Sequence, residues 1–190
     1  MLRSFQEALV GLATRSSWRA QLRSEGESPL DGLTLDTRER RALRALSPQA
    51  LDRYADSLMA KRWQEVLRVI PRTCRVAPSL RDLYREWLAM NPPLAADTLL
   101  PPGPAEALRA LAPLRVALMS ERHAAYAADL LAFEVLGACS RADGAERSLS
   151  SRWRLDQVAA EIGRGLLPMD PEERLAHFRF DRTGVRWRYA

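Results

Sequence analysis

The residue that most invites a chemical role is Glu134. It stands in YAADLLAFEV (126–135), between Phe133 and Val135 and close to Leu130, Leu131 and Leu136, so its helix is apolar on more than one side. A carboxylate in such surroundings must be paired or stay protonated, because an uncompensated buried charge is costly. Arg53 or Arg62, on the long helix upstream, is the economical partner, and a structural buried acid is the expectation. The functional alternative is a general acid or base.

Few other residues offer chemistry. Cys74 and Cys139 are far apart and form no CxxC; either could act as a nucleophile only beside a base. Cys74 lies in RTCRVAP, where Arg72 and Arg75 are expected to lower its pKa somewhat, though a small, partly buried side chain is the simpler role. His123 and His177 fall on different elements, with no metal-ligand spacing around either. GxSxG, P-loop and dinucleotide motifs are absent from the sequence. The expectation is therefore no catalytic residue, no metal and no cofactor.

The C-terminus has a different pattern. Phe178, Phe180, Val185, Trp187 and Tyr189 alternate with Arg179, Asp181, Arg186 and Arg188, around a turn at Arg182-Thr183-Gly184. Such alternation predicts a β-hairpin over about 175–189 with an aromatic inner face and an arginine-rich outer one. An exposed strand edge can add an extended peptide, and arginines beside it attract an acidic one. Phe178, Arg179, Arg186, Trp187 and Arg188 are the candidate peptide-binding residues; the simpler role for the aromatics is to cover the helical bundle.

These elements need a scaffold. The chain has 190 residues, 47% hydrophobic and 28% charged, which suits a globular protein with a real core. The formal net charge is +5, and Lys61 is the only lysine among 29 basic residues. A basic surface permits nucleic-acid binding but does not require it, and no helix-turn-helix signature accompanies it. No apolar run approaches the roughly 20 residues that span a bilayer, and the N-terminus lacks the apolar segment of a secretory signal. A reducing cytoplasm is expected.

Helical periodicity is extensive. Phe5, Leu9 and Leu12 predict a helix over 2–14, and a short one begins at Ser16 or Ser17. Residues 24–32 read as a loop, after which Asp36 and Glu39 have the spacing of a capping box. Ser47-Pro48 starts a long helix whose stripe (Leu51, Tyr54, Ala55, Leu58, Met59, Trp63, Val66, Leu67, Ile70) ends at Pro71. Ser79 begins another, stopped by Asn91-Pro92-Pro93. A stiff proline-rich connection covers 92–104, and helical patterning resumes over 105–111, 113–119 and 120–139. Residues 140–148 read as a loop and 155–162 as a short helix. The predicted fold is mainly α: an N-terminal multi-helix bundle over 1–140 and a small α+β element over 149–190 ending in the hairpin.

Taken in order, four segments resemble a known family. They are Phe5-Gln6-Glu7-Ala8-Leu9; Tyr54, Leu67 and Pro71; Asn91-Pro92-Pro93; and Tyr126, Asp129, Leu130 and Glu134. The resemblance, over about residues 5–137, is to accessory proteins of multinuclear non-haem iron-dependent oxidative enzymes in ribosomal peptide natural-product biosynthesis. The N-terminal helical domain of that family was once described as DNA-binding. DTRERRALRAL (36–46) departs from its pattern and looks more like a helical domain of some dioxygenase accessory subunits. RTCRVAP departs as well, standing where the family has a glycine-containing motif. The resemblance implies a non-catalytic accessory subunit, partnered as a heterodimer with an iron-dependent oxidase. It would hold the leader of a precursor peptide so that a core-peptide cysteine reaches the iron. A DNA-binding or regulatory helical protein is the alternative, and a small enzyme centred on Glu134 and His123 is a second.

Overall fold

A computed structural model describes residues 2–24, 29–91, 99–120, 124–169 and 171–190. His123 and most of the 92–104 connection lie outside them. The described elements are α1 (Leu2–Thr14), α2 (Ser16–Arg23), α3 (Thr37–Arg44), α4 (Pro48–Val69), α5 (Pro71–Val76), α6 (Leu80–Met90), α7 (Pro102–Ser120), α8 (Ala127–Asp143), β1 (Arg147–Trp153), α9 (Leu155–Gly163), β2 (Glu173–Asp181) and β3 (Gly184–Tyr189). The protein is mainly α with a small antiparallel sheet at its C-terminus, as expected. Three details differ. RTCRVAP is not a plain connection but contains helix α5. The two segments expected around Pro113 are one helix, α7, with the proline inside it. Residues 140–148, expected as a loop, hold the last turn of α8 and the start of strand β1.

The chain divides into two compact units, Met1–Lys61 with Leu88–Ala95, and Arg62–Trp87 with Ala96–Ala190. That division differs from the one expected near residues 140–149, because α8 shares one core with the sheet and α9.

In the first unit, Ala8 and Leu12 of α1 meet Leu30, Leu43 and Leu51, with Phe5, Trp18 and Leu22 packed around them. Helix α3 starts on the expected capping box: the Glu39 amide donates to Asp36 Oδ1 (2.7 Å) and the Asp36 amide to Glu39 Oε2 (2.9 Å). Each motif of this kind satisfies two amides that the helix itself leaves without partners. Arg19 of α2 donates to Asp52 of α4 (2.9 Å) and to the Leu12 carbonyl (2.8 Å), which ties α1, α2 and α4 together.

In the second unit, α8 lies against the sheet. Phe133 meets Phe178 and Phe180 edge-on, with ring centroids 5.2 and 5.3 Å apart. Leu130, Leu149, Trp153, Leu155, Val158 and Ile162 complete this core. Each fully buried phenylalanine contributes about 2–3 kcal/mol of transfer free energy. Trp63, Tyr84 and Trp87 form a second aromatic group. Beside it Glu106 accepts from the Tyr84 hydroxyl (2.9 Å) and Arg109 (3.1 Å) and pairs with Arg62.

Helix α7 approaches α4 closely at Gly103, where a Cβ would stand 2.8 Å from the Glu65 carbonyl oxygen. Backbone cannot yield as a side-chain end can. Gly103→Ala is therefore expected to lower stability by about 1–3 kcal/mol, as overpacked sites do, measured as a shift in the denaturation midpoint. An unchanged midpoint would show that the two helices separate freely.

Candidate functional site

Glu134 is buried, at 5% exposure, but neither expected arginine reaches it. Arg62 is taken by Glu106, and Arg53 is exposed. The carboxylate instead caps α5. Its Oε1 accepts the Arg72 amide (3.1 Å), and its Oε2 accepts the Thr73 amide and hydroxyl (2.8 Å each). The Arg72 guanidinium lies 3.5 Å away. These are the donors that the first turn of a helix leaves free, at its electropositive end. Burial pushes the Glu134 carboxyl above its ordinary value, against those hydrogen bonds and the charge of Arg72. The carboxylate is thus held by the amides and hydroxyl at the start of α5 and by Arg72, and not by the expected Arg53 or Arg62.

Cys74 departs from expectation. Its thiol is pushed up to about 12, first by burial and then by the Glu134 charge. The flanking arginines act elsewhere: Arg72 donates to the Ala159 carbonyl (3.1 Å) and Arg75 to that of Ile162 (2.8 Å). A thiol so held is a poor nucleophile at neutral pH. Among the described residues no cluster of three or more His, Cys, Asp or Glu is placed to hold a metal ion.

The C-terminal sheet brings the remaining candidates together. Its order is β1-β2-β3, so β2 is central and β3 is an edge. The turn is held by Asp181, whose Oδ1 accepts the Thr183 amide (2.8 Å) and hydroxyl (2.5 Å) and the Gly184 amide (3.2 Å). These Thr183 bonds, with the neighbouring Arg186, hold the Asp181 carboxyl down at about 2. Gly184 adopts φ 148°, a conformation open to glycine.

Register places the side chains. Phe178 is opposite Leu149 and Trp187, and Phe180 is opposite Arg147 and Val185, all on the face toward α8. Phe178 is 1% exposed and inert as a binding residue. Trp187, on the same face, is 46% exposed, because it sits on the edge strand past the cover that α8 supplies. The expected uniform aromatic inner face thus ends at β3.

The opposite face carries two cross-strand rows, Ser148–Arg179–Arg186 and Ser150–His177–Arg188. They border a trough of about 610 Å³. Arg179 pairs with Glu146 and Arg186 with Asp181, while Arg188 has no hydrogen bond or ion pair among the described residues. Arg179 and Arg186 stand directly opposite each other, and the carboxylates of Glu146 and Asp181 offset the repulsion between them. Ser150 Oγ lies 2.9 Å from His177 Nδ1, but no carboxylate among the described residues orients the imidazole as hydrolytic catalysis would require. Ser148, Ser150 and His177 were not among the sequence candidates. Their signal was the alternation Arg147–Trp153, broken by the inward Ser151.

No described helix is long and apolar enough to cross a membrane. Comparisons of the chain with protein-family models, with curated proteins and with solved structures found no match.

Proposed function

We propose that this protein is a non-catalytic accessory subunit that holds an acidic, extended peptide along β3 for an iron-dependent peptide-modifying oxidase in the cytoplasm. The observation that supports peptide binding is the edge itself. β3 pairs with β2 on one side only, and it presents Trp187 between Arg186 and Arg188. A peptide strand added there gains main-chain hydrogen bonds from the open edge, a flat apolar contact from Trp187 and opposite charges from the arginines.

The oxidase partner is inferred from the family resemblance. Its segments at Phe5–Leu9, Tyr54–Leu67 and Tyr126–Glu134 lie on α1, α4 and the start of α8.

The test is co-expression with a candidate oxidase and its precursor peptide, followed by size-exclusion chromatography with light scattering. A one-to-one protein complex that takes up the peptide is expected. Replacing Arg186 and Arg188 together by Glu should weaken peptide uptake about tenfold or more, from roughly 1 kcal/mol at each cross-strand pair. The same edge could meet nucleic acid. Binding to duplex DNA that falls steeply with salt, with no peptide uptake, would replace this reading.

A further inference from the structure

The geometry points to a second docking surface, in the first unit: a groove between α1 and α4 that receives an amphipathic helix of a partner protein carrying acidic residues beside its apolar stripe. This inference is independent of the β3 edge.

The groove measures about 540 Å³ and is lined by Leu9, Val10 and Ala13 of α1 and Ala50, Tyr54 and Leu58 of α4, among others. Tyr54 is 61% exposed and Val10 48%, so large apolar groups are left at the surface on two adjacent helices. Isolated exposed apolar residues need no explanation, but a continuous apolar groove does. Ala13 and Ala50 contribute only methyl groups to its lining, which lets a helix backbone come close. The lining of α4 covers two turns, about 12 Å at 1.5 Å per residue, which matches anchors at i, i+4 and i+7 of an incoming helix.

Charge selects the occupant. Ala50, Tyr54, Leu58 and Lys61 follow one another at spacings of four, four and three, so Lys61 closes the same face of α4. Arg53, three residues after Ala50, borders it. Both are exposed, and neither has a hydrogen bond or ion pair among the described residues. The nearby acid Asp52 is already held by Arg19 and Arg23. Asp56 of α4 and Glu7 of α1 have interactions of their own, so Lys61 and Arg53 are the charges beside the groove without a partner among the described residues, and glutamates or aspartates on the incoming helix complete them.

The probe is a surface-displayed library of helical peptides randomised on both faces, selected against the whole protein. Enriched sequences should carry an apolar stripe flanked by Glu or Asp. Their binding should fall at least tenfold with Val10→Asp, an exposed position where the fold is retained by circular dichroism. Lys61→Glu should reverse the preference toward Lys-flanked peptides. Because Lys61 is the only lysine, zero-length carbodiimide coupling should join a peptide glutamate to this one side-chain amine. Three results overturn the proposal: no enrichment, enriched peptides indifferent to Val10→Asp and Lys61→Glu, or light scattering that shows a dimer dissolved by Val10→Asp. The last would assign the groove to a second copy.

Discussion

Glu134→Ala is expected to cost about 3–5 kcal/mol in urea denaturation, the loss seen when one member of a buried charged cluster is removed. The variant leaves the Arg72 and Thr73 amides and the Thr73 hydroxyl without their acceptor, while the half-exposed Arg72 guanidinium keeps its bond to the Ala159 carbonyl. Unsatisfied buried donors account for most of that loss. Glu134→Gln keeps one carbonyl acceptor but turns a second donor toward α5, so about 1–2 kcal/mol should be lost. Amide exchange at Arg72 and Thr73 reads the same event locally. In the wild type these amides should open only with the second unit, and in Glu134→Ala they should exchange early. If Glu134→Ala lost under about 1 kcal/mol, the capping role would be wrong.

The acid also leaves a pH signature. Burial raises the folded carboxyl above its usual 4.5, so the folded state keeps this proton to higher pH than the unfolded chain does. Its contribution is complete below the unfolded value and is lost as pH rises through the folded one. Asp143 and Asp181, held at about 2 rather than the usual 3.8, act in the opposite sense. For Asp143 the main cause is the Arg147 hydrogen bond, and for Asp181 those from Thr183. Their stabilisation is present above the usual value and lost as pH falls toward 2. Stability should therefore rise through the acid range and then decline above pH 4.5. Glu134→Gln should flatten only that decline.

The second large effect comes from two residues that face each other across β2 and β3. Phe178→Ala should cost about 3–5 kcal/mol, because the ring is enclosed by α8 and meets Phe133 edge-on at 5.2 Å. Trp187→Ala, one strand away on the same face, should cost under about 1 kcal/mol, since nearly half of the side chain is already in water. Peptide uptake should reverse the order, failing in Trp187→Ala and surviving in any folded Phe178 variant such as Phe178→Leu. Equal effects of the two tryptophan and phenylalanine changes on stability would mean that Trp187 belongs to the core.

The elements that the sequence made legible are those that carry their own instructions. Helix α3 begins where Asp36 and Glu39 cap it, and α4 begins at Ser47-Pro48 and runs out at Pro71; all of these are local signals. Helix α5 was hidden because its cap comes from Glu134, over sixty residues away, and nothing within RTCRVAP supplies one. Strand β1 was hidden because Ser151 occupies an inward position where alternation calls for an apolar residue. That serine is buried by donating to Asp129 at 2.8 Å. In the candidate site, alternation correctly set which way Phe178, Trp187 and the arginines point. It could not tell that Trp187 lacks cover, because coverage depends on where α8 lies and not on the strand. The partner expected for Glu134 failed for the same reason: burial of an acid predicts that donors exist, not that they are main-chain ones.

The open edge of β3 raises a problem of its own, since a free strand is a template for aggregation. In an antiparallel pairing of two copies centred on Trp187, Arg186 of each would stand opposite Arg188 of the other. Guanidinium groups set against one another oppose that register, and a shift by one residue turns the tryptophan away from its counterpart. The arginines that would welcome an acidic strand thus also keep the protein from pairing with a second copy through the same edge. Neutralising them for crystallisation would invite an edge-to-edge dimer in the crystal and in solution.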